Sequence, residues 1–332
     1  MNNKISLLDK IKFVGTGAPK LLANQLLVVS FEVTLSCVCN CRHCDLGGLR
    51  PGEKQIKPEE YARLVKSLKP LIIQISGGEP LLRPDIVDIV REIKQFGSLP
   101  YEIFVTNGFL LNEKKYLELK KAGVNQFSIS LDFPDQRHDD FRRRPGIYKH
   151  LEKTLPKIAQ YGFNDIILNS AITRANFKEV IPLAKKAKEW GVLISYSAYT
   201  PLRTGNREYS FETKEDLKTL RKTMKELILF KEKTNFIVTP KGILLDILKF
   251  FEQKHMPNCQ AGIKFVVVMP DGVLVPCSMK RERFSNLEEL REKFSRHNDC
   301  GGCYVSIRGN TERSLLKQLK DFSKYITIIG NW

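Results

Sequence analysis

The chain has 332 residues, 42% of them hydrophobic and 27% charged, and its formal net charge is +17. This length suits one large or two modest domains with a sizeable core. No apolar run approaches the roughly 20 residues of a membrane span, and the N-terminal residues lack the apolar stretch of a secretion signal, so we expect a cytoplasmic protein.

Residues 26–200 repeat one unit of strand, loop and amphipathic helix. Gly123, Gly162 and Gly191 each follow a helical pattern and precede a strand, as expected of C-terminal helix caps. This alternation predicts an α/β fold with a parallel sheet. The six predicted strands lie at about 26–33, 71–75, 102–105, 126–131, 166–171 and 192–197.

The first strand runs into a segment with four cysteines in eight residues, and three of them, Cys37, Cys41 and Cys44, have the spacing C-x3-C-x2-C. Thiolates favour iron–sulfur clusters, Zn or Cu(I). Three thiolates on a cubane cluster leave one iron free to bind a small molecule. Barrel enzymes place active sites at such strand ends. Cys39 is interpreted as a small loop residue or a spare ligand open to oxidation.

The repeat ends after Thr200. The following pattern predicts a charged helix at 214–233, a more apolar helix at 239–253, a hairpin with strands at 266–269 and 273–275, and a helix at 313–325 whose apolar stripe is interpreted as core packing. We predict an N-terminal extension at 1–25, a core domain at 26–235 and a smaller domain at 236–332.

A second set of cysteines lies in this smaller domain. The predicted hairpin separates Cys259 from Cys277, and Cys300 and Cys303 form a C-x2-C pair around two glycines. Four such thiolates suit Zn or a cubane cluster equally well on spacing alone.

The first cysteine motif resembles that of the radical S-adenosylmethionine (SAM) enzymes. Ser76-Gly77-Gly78-Glu79-Pro80 looks like the GGE motif of that family, so the resemblance implies that Gly77, Gly78 and Glu79 bind the methionine ammonium of SAM. His43 stands where an aromatic residue usually packs on adenine, which is a departure from the pattern. The remaining residues that the resemblance implies as SAM contacts, chiefly at the ribose, are Asn107, Ser130, Asp132 and Asn169.

The second set is similar to the start of a SPASM domain, since it reads C-x12-G-x4-C followed by C-x2-C. The later SPASM cysteines are missing, so the resemblance favours the shorter twitch version with one auxiliary [4Fe–4S] cluster that transfers electrons. It also implies a partial (β/α)6 TIM-like barrel followed by the small cysteine-bearing domain.

The resemblance implies reductive cleavage of SAM to a 5′-deoxyadenosyl radical, which abstracts hydrogen from a small-molecule, lipid-precursor or peptide substrate. A reductant such as flavodoxin or ferredoxin would supply the electron. The basic charge, densest at 142–144, makes an anionic substrate a candidate, while no nucleic-acid module is evident. The alternatives are a non-catalytic iron–sulfur or zinc scaffold, and a lipid-modifying enzyme in peripheral contact with a membrane.

Overall fold

The computed structural model describes residues 7–314, 316 and 317. They form two compact units that interleave along the chain. The first consists of the described residues up to Val38, Leu46–Ser128 and Gln260–Asn298; the second of Cys39–Asp45, Ile129–Cys259 and the described residues from Asp299 on. Neither unit coincides with the predicted domain at 26–235, and that domain division stays a prediction.

Among the described residues, six strands confirm the predicted repeat to within about two residues at each end, and two more confirm the predicted hairpin. The strands are β1 (Val28–Thr34), β2 (Ile72–Gly77), β3 (Tyr101–Thr106), β4 (Gln126–Ser130), β5 (Ile166–Ile172), β6 (Leu193–Ala198), β7 (Phe265–Val268) and β8 (Leu274–Val275).

Helices alternate with the strands, and the predicted helices at 214–233 and 239–253 are confirmed. The α-helices are α1 (Leu7–Leu22), α2 (Pro58–Leu68), α3 (Ile86–Lys94), α4 (Glu113–Ala122), α5 (Arg137–Arg142), α6 (Ile147–Ala159), α7 (Val180–Glu189), α8 (Lys214–Glu232), α9 (Lys241–Gln253), α10 (Leu287–Lys293) and α11 (Ser306–Thr311). Most of the predicted helix at 313–325 lies outside the described residues.

The ends of these helices follow from local sequence. Pro58 occupies the first turn of α2, where its missing N–H costs no hydrogen bond. The Asn112 side chain caps α4 by accepting from the amide of Lys115. Gly123 ends α4 at φ 132°, a conformation that other residues rarely adopt, and its amide donates to the carbonyls of Leu119 and Lys120.

In the first unit the strand order is β3-β2-β1-β7-β8. β1 pairs in parallel with β2 on one side and with β7 on the other, so Val28 lies opposite both Ile72 and Phe265. β8 runs antiparallel to β7, with Val268 opposite Leu274. The hairpin was expected from the sequence, but its addition to the edge of β1 was not.

In the second unit β5 and β6 pair in parallel, with Ile167 opposite Leu193. The outer edge of β6 is covered, because the Ile194 amide donates to the Phe236 carbonyl and the Val238 amide donates to the Ile194 carbonyl, both at 2.9 Å. β4 is divided between the units, with 126–128 in the first and 129–130 in the second.

Helix α1 falls in the segment predicted only as an extension. It packs against the start of β3, where Phe13 makes an edge contact with Tyr101 at a centroid distance of 6.2 Å. It also packs against Leu71, the residue before β2. A Cβ on Gly17 would lie 2.8 Å from a methyl group of Leu71, so glycine permits this close approach. No described helix combines the length and apolar character needed to span a membrane.

Candidate active site

The segment between β1 and Cys37 is fixed by Glu53. Its carboxylate accepts hydrogen bonds from the Thr34 hydroxyl and, at 2.7 Å, from the Leu35 amide. The Cys37 amide itself donates to the carbonyl of Gly48 at 2.9 Å. The first predicted cluster ligand therefore leaves the strand from a constrained backbone.

The two glycines after β2 pack directly against this segment. A Cβ on Gly77 would lie 2.1 Å from the Thr34 oxygen, and one on Gly78 would lie 2.2 Å from the Ser36 oxygen. The amides of Gly78 and Glu79 donate to these same carbonyls at 2.7 and 2.8 Å. Because an ammonium group only donates hydrogen bonds, one bound here would be received by carbonyl oxygens or by the Glu79 carboxylate.

Glu79 is fully buried, and its carboxylate connects the ends of β2 and β3. It accepts hydrogen bonds from the Thr106 hydroxyl at 2.7 Å, the Asn107 amide at 2.8 Å and the Leu81 amide at 3.1 Å. These bonds fix the direction of the carboxylate. Its role as the acceptor of the SAM ammonium stays a prediction.

Asn107, predicted as a SAM contact, makes a hydrogen bond to a predicted cluster ligand. Its Nδ2 donates to Cys37 Sγ at 3.7 Å, while its Oδ1 accepts from the Phe109 amide at 2.9 Å. A donor on sulfur favours the thiolate, which is the form that binds iron.

In the second unit, Arg142 connects Cys41 to Asp132. Its Nη1 donates to Cys41 Sγ at 3.8 Å and its Nε donates to Asp132 Oδ2 at 2.6 Å. Burial alone would raise the pKa of Asp132, but attraction to Arg142 outweighs it and the pKa lies below its usual value. The guanidinium has a raised pKa for the same reason, so both groups are charged.

This ion pair involves two residues that the sequence analysis had interpreted. Arg142 belongs to the basic cluster at 142–144, but it is held by Asp132 with only 11% of its side chain exposed, and anion recognition by the cluster stays a prediction. Asp132, predicted as a SAM contact, uses Oδ2 for Arg142; its Oδ1 is buried without a hydrogen-bond partner. The contact of Asp132 with SAM stays a prediction.

A second arginine lies on Cys44. Arg203, which follows β6, donates through Nη2 to Cys44 Sγ at 3.3 Å and forms an ion pair with Asp45 at 2.8 Å. Arg203 was not predicted from the sequence as a site residue. The one indication in the sequence is that it lies shortly after the end of a strand, where active-site residues of such folds are often found.

His43 lies among aromatic rings of the second unit. It stacks on Phe141 with a centroid distance of 4.7 Å and meets the edge of Tyr199 at 6.5 Å. Burial lowers the pKa of His43 to about 4, although Asp132 acts in the opposite direction, so the ring is neutral at pH 7. A neutral imidazole in an aromatic setting suits stacking, but the predicted contact with adenine stays a prediction.

Ser130 and Asn169, the other predicted SAM contacts, lie on neighbouring strands. Ser130 ends β4, and Asn169 lies in the middle of β5 opposite Ser195 of β6. Both are half-buried, and the Asn169 carbonyl accepts from the Leu131 amide at 3.1 Å. The predicted contacts of both side chains with SAM stay predictions.

The second cysteine set is divided between the units. Cys277 belongs to the first unit, where its Sγ accepts from the Lys280 amide at 3.3 Å. Cys259, Cys300 and Cys303 belong to the second.

Arg308 organises the second-unit part of this set and was missed from the sequence. Its side chain is 1% exposed and forms an ion pair with Glu312 at 2.8 Å. It donates to the carbonyl of Cys303, and to those of Met256 and Pro257 at 3.1 and 3.0 Å. One guanidinium thereby fixes the backbone before Cys259 and at Cys303.

The glycines of the C-x2-C pair are closely packed. The Gly301 carbonyl accepts from the Met256 amide at 2.9 Å, and the Gly302 carbonyl accepts from the Thr200 hydroxyl at 2.7 Å. A Cβ on Gly301 would lie 2.1 Å from the ring of His255. The turn between Cys300 and Cys303 is therefore fixed by the second unit's own residues.

Cys39 is 2% exposed, which supports the interpretation as a small buried loop residue over that of an oxidation target. Within the part of the chain that the structure describes, no three Cys, His, Asp or Glu side chains converge as ligands of one metal ion. In a cubane cluster each thiolate binds a different iron, so the cysteine sulfur atoms lie farther apart than the ligands of a single metal ion do. The N–H donors on Cys37, Cys41 and Cys44 fit such a thiolate-bound group.

The family model of the Radical SAM superfamily matches residues 31–187. The chain therefore carries a Radical SAM domain over this segment. The radical SAM enzyme is 26% identical over 279 residues to a probable GTP 3′,8-cyclase of Saccharolobus islandicus, covering 80% of this chain and 87% of that protein. It is 32% identical over 211 residues to an AdoMet-dependent heme synthase of Methanosarcina barkeri, covering 59% of this chain and 55% of that protein.

Solved structures confirm the fold class of this radical SAM enzyme, an α/β partial barrel with a SPASM-type extension. SuiB of Streptococcus suis bound to precursor peptide SuiA gives a TM-score of 0.62 at 16% identity, covering 87% of this chain and 71% of that one. The protein anSMEcpe with bound AdoMet and Cp18Cys peptide gives 0.61 at 18% identity, covering 93% and 100%. The Radical SAM match confirms SAM and [4Fe–4S] as the cofactors; the residues that hold them stay predictions.

Proposed function

We propose that this radical SAM enzyme abstracts a hydrogen atom from a C–H bond of a polar small molecule or peptide. The observation that carries the proposal is that each cysteine of the C-x3-C-x2-C motif accepts an N–H donor from Asn107, Arg142 or Arg203. When bound, the [4Fe–4S] cluster and SAM supply a 5′-deoxyadenosyl radical as the hydrogen acceptor.

The residues of the chain would orient these groups. Cys37, Cys41 and Cys44 would hold the cluster. Glu79 presents a buried carboxylate of fixed direction, which suits an ammonium group better than a mobile surface carboxylate would. His43 supplies a neutral ring for stacking.

The substrate class is inferred from the two faces of β1 and β2. Parallel register places Ser30 beside Gln74 and Glu32 beside Ser76, so these four side chains share one face. The opposite face is wholly apolar, and its residues, Val29, Phe31, Val33, Ile73 and Ile75, are 0% exposed.

The polar face carries hydrogen-bonding groups at close range. Ser30 Oγ lies 3.1 Å from Ser76 Oγ, and Arg281 Nη2 lies 3.1 Å from Glu32 Oε2. The Nε of Arg281 is buried without a hydrogen-bond partner. Buried polar groups lower stability unless they are satisfied, so this face supports binding of a substrate with donors and acceptors and disfavours the alkyl chain of a lipid precursor.

We assign the second cysteine set, Cys259, Cys277, Cys300 and Cys303, to an auxiliary [4Fe–4S] cluster that transfers electrons. The support is the buried Arg308, which fixes the chain at two of these segments. A flavodoxin- or ferredoxin-like reductant and a cytoplasmic location, where thiols stay reduced, complete the proposal.

The experiment is anaerobic reconstitution with iron and sulfide, followed by measurement of 5′-deoxyadenosine formed from SAM. We expect cleavage in the wild type and in Cys39→Ala, and background levels in Cys37→Ala, Cys41→Ala and Cys44→Ala. Deuterium transfer from labelled candidate substrates into 5′-deoxyadenosine then identifies the carbon attacked. A reconstituted wild type that never cleaves SAM would favour the non-catalytic scaffold, and stimulation by anionic vesicles alone would favour the lipid-modifying alternative.

A further inference from the structure

Two of the three predicted cluster cysteines lie in the same arrangement, in which a guanidinium contacts the sulfur and a carboxylate contacts the guanidinium. The two arrangements are Cys41–Arg142–Asp132 and Cys44–Arg203–Asp45. The third, Cys37, instead receives the neutral amide of Asn107.

We infer that Arg142 and Arg203, each balanced by its aspartate, set the reduction potential of the N-terminal cluster. The inference rests on the proposed function for the assignment of the cysteines. Potentials of iron–sulfur clusters depend on nearby charge, on hydrogen bonds to sulfur and on solvent exposure. These two arginines supply the first two of these influences together.

The sign of the effect follows from electrostatics. One electron from an external low-potential reductant makes a thiolate-ligated cluster one charge more negative. A cation beside a ligand sulfur stabilises that reduced state, so each arginine raises the potential. The carboxylate beyond it has the opposite charge and partly offsets the increase.

The two arrangements differ in how strongly the carboxylate acts. The Asp132 side chain is 1% exposed, whereas that of Asp45 is 42% exposed. Water screens exposed charges much more than buried ones. Asp132 should therefore influence the potential more than Asp45 does, although the two arginines are similarly buried, at 11% and 15% exposure.

The test is an EPR-monitored redox titration of the reconstituted full chain, following the signal that changes on adding SAM. We expect Arg142→Gln to lower the potential and Asp132→Asn to raise it, each changing the one-electron reduction equilibrium about tenfold, or about 59 mV. Asp45→Asn should shift it in the same direction as Asp132→Asn but less. Arg143→Asn is the matched control, because it removes an exposed neighbouring charge at a left-handed position that asparagine tolerates.

Opposite shifts from the two members of one ion pair are the decisive result, since general disruption of the site would not produce them. Arg142→Gln leaves Asp132 buried without its cation, which could prevent folding. The double variant Asp132→Asn/Arg142→Gln removes both charges and is measured in its place if the single variant does not fold. Its potential should lie between those of Arg142→Gln and Asp132→Asn. Potentials equal to the wild type, or shifts of one sign in both single variants, would overturn the inference.

Failure of the proposed function gives a different result. If the wild type holds the cluster but does not cleave SAM, while the variants show the expected shifts in potential, the proposed function is overturned and the electrostatic inference stands. If the wild type cleaves SAM and the variants have unchanged potentials, the electrostatic inference is overturned and the proposed function stands.

Discussion

The two sets of cysteines use arginines in different ways. In the N-terminal set, Arg142 and Arg203 donate to the sulfur atoms themselves. In the C-terminal set, Arg308 donates to main-chain carbonyls around Cys303. A cation on sulfur changes the electronic properties of a bound cluster, whereas a cation on carbonyls fixes the path of the chain.

This difference agrees with the roles proposed for the two clusters. A cluster that must pass an electron to SAM benefits from charges that adjust its potential. A cluster with four protein ligands depends first on the placement of those ligands. Three predictions test this contrast directly, and a fourth concerns the pH dependence of stability, which affects any comparison of the two sets.

The largest effect is expected from removing one ligand of each set. Cys41→Ala should reduce SAM cleavage to background, because the N-terminal cluster is lost. Cys303→Ala should remove about half of the bound iron but retain cleavage of SAM in the absence of substrate. Iron analysis and chromatography of 5′-deoxyadenosine measure both quantities, and equal loss of cleavage in the two variants would end the distinction.

Arg308→Gln should affect the C-terminal set alone. The substitution leaves Glu312, 12% exposed, without its cation, and breaking a buried ion pair of this kind costs about 3–5 kcal/mol. We expect a lower unfolding temperature and loss of auxiliary iron, with the SAM-sensitive EPR signal unchanged. Glu312→Gln, which retains an acceptor for Arg308, is the milder control; a change in the SAM-sensitive signal would show that Arg308 serves both sets.

The glycines of the two sets should differ in their tolerance of alanine. A Cβ on Gly78 would meet the Ser36 backbone oxygen, which cannot move alone, whereas a Cβ on Gly301 would meet the His255 side chain, which can rotate. Gly78→Ala should therefore cost about 1–3 kcal/mol and weaken SAM binding, and Gly301→Ala should cost less. Urea denaturation compares the two, with Gly302→Ala as a control whose Cβ would lie 3.2 Å from Leu202.

The last prediction concerns pH and a residue outside both sets. Glu102 on β3 is fully buried, neither carboxyl oxygen has a hydrogen-bond partner, and burial raises its pKa to about 8 despite attraction to Lys94. Since this pKa lies above the unfolded value of 4.5, Glu102 does not reduce the free energy of unfolding below pH 4.5, and it reduces it progressively as the pH rises from 4.5 towards 8.

Glu102→Gln should remove that decrease, so the variant gains stability over the wild type as pH rises from 5 to 7.5. Urea titrations at both pH values measure this gain, and Glu59→Gln at an exposed position serves as the control. Parallel pH profiles for wild type and Glu102→Gln would exclude Glu102 as the source. The background pH dependence must be known before either cysteine set is compared across pH.

The sequence predicted the strands and the cysteine motifs because both depend on neighbours along the chain. Apolar runs such as 71–75 are long enough to identify a buried strand, and the three cysteines of the first motif lie close together along the chain, within residues 37–44. The family resemblance then supplied the fold class and cofactors. Helix α1 was missed, although its apolar residues recur at helical spacing.

The donors to sulfur could not be predicted in the same way. Arg142 lies 101 residues from Cys41, and Arg203 lies 159 residues from Cys44. No periodicity or spacing encodes a contact across such a distance, and a surface role for basic residues was the simpler interpretation. Arg308 illustrates the same limit, because its partners are carbonyl groups, which every residue possesses.

The pairing of β1 with β7 has a consequence for biosynthesis. Val28 leaves the ribosome long before its neighbour Phe265. Until β7 has been synthesised, a nascent chain carries the first cysteine loop on a strand that lacks one of its two partners. We expect the first cysteine loop to acquire its final conformation, and to bind iron stably, only after β7 has paired with β1.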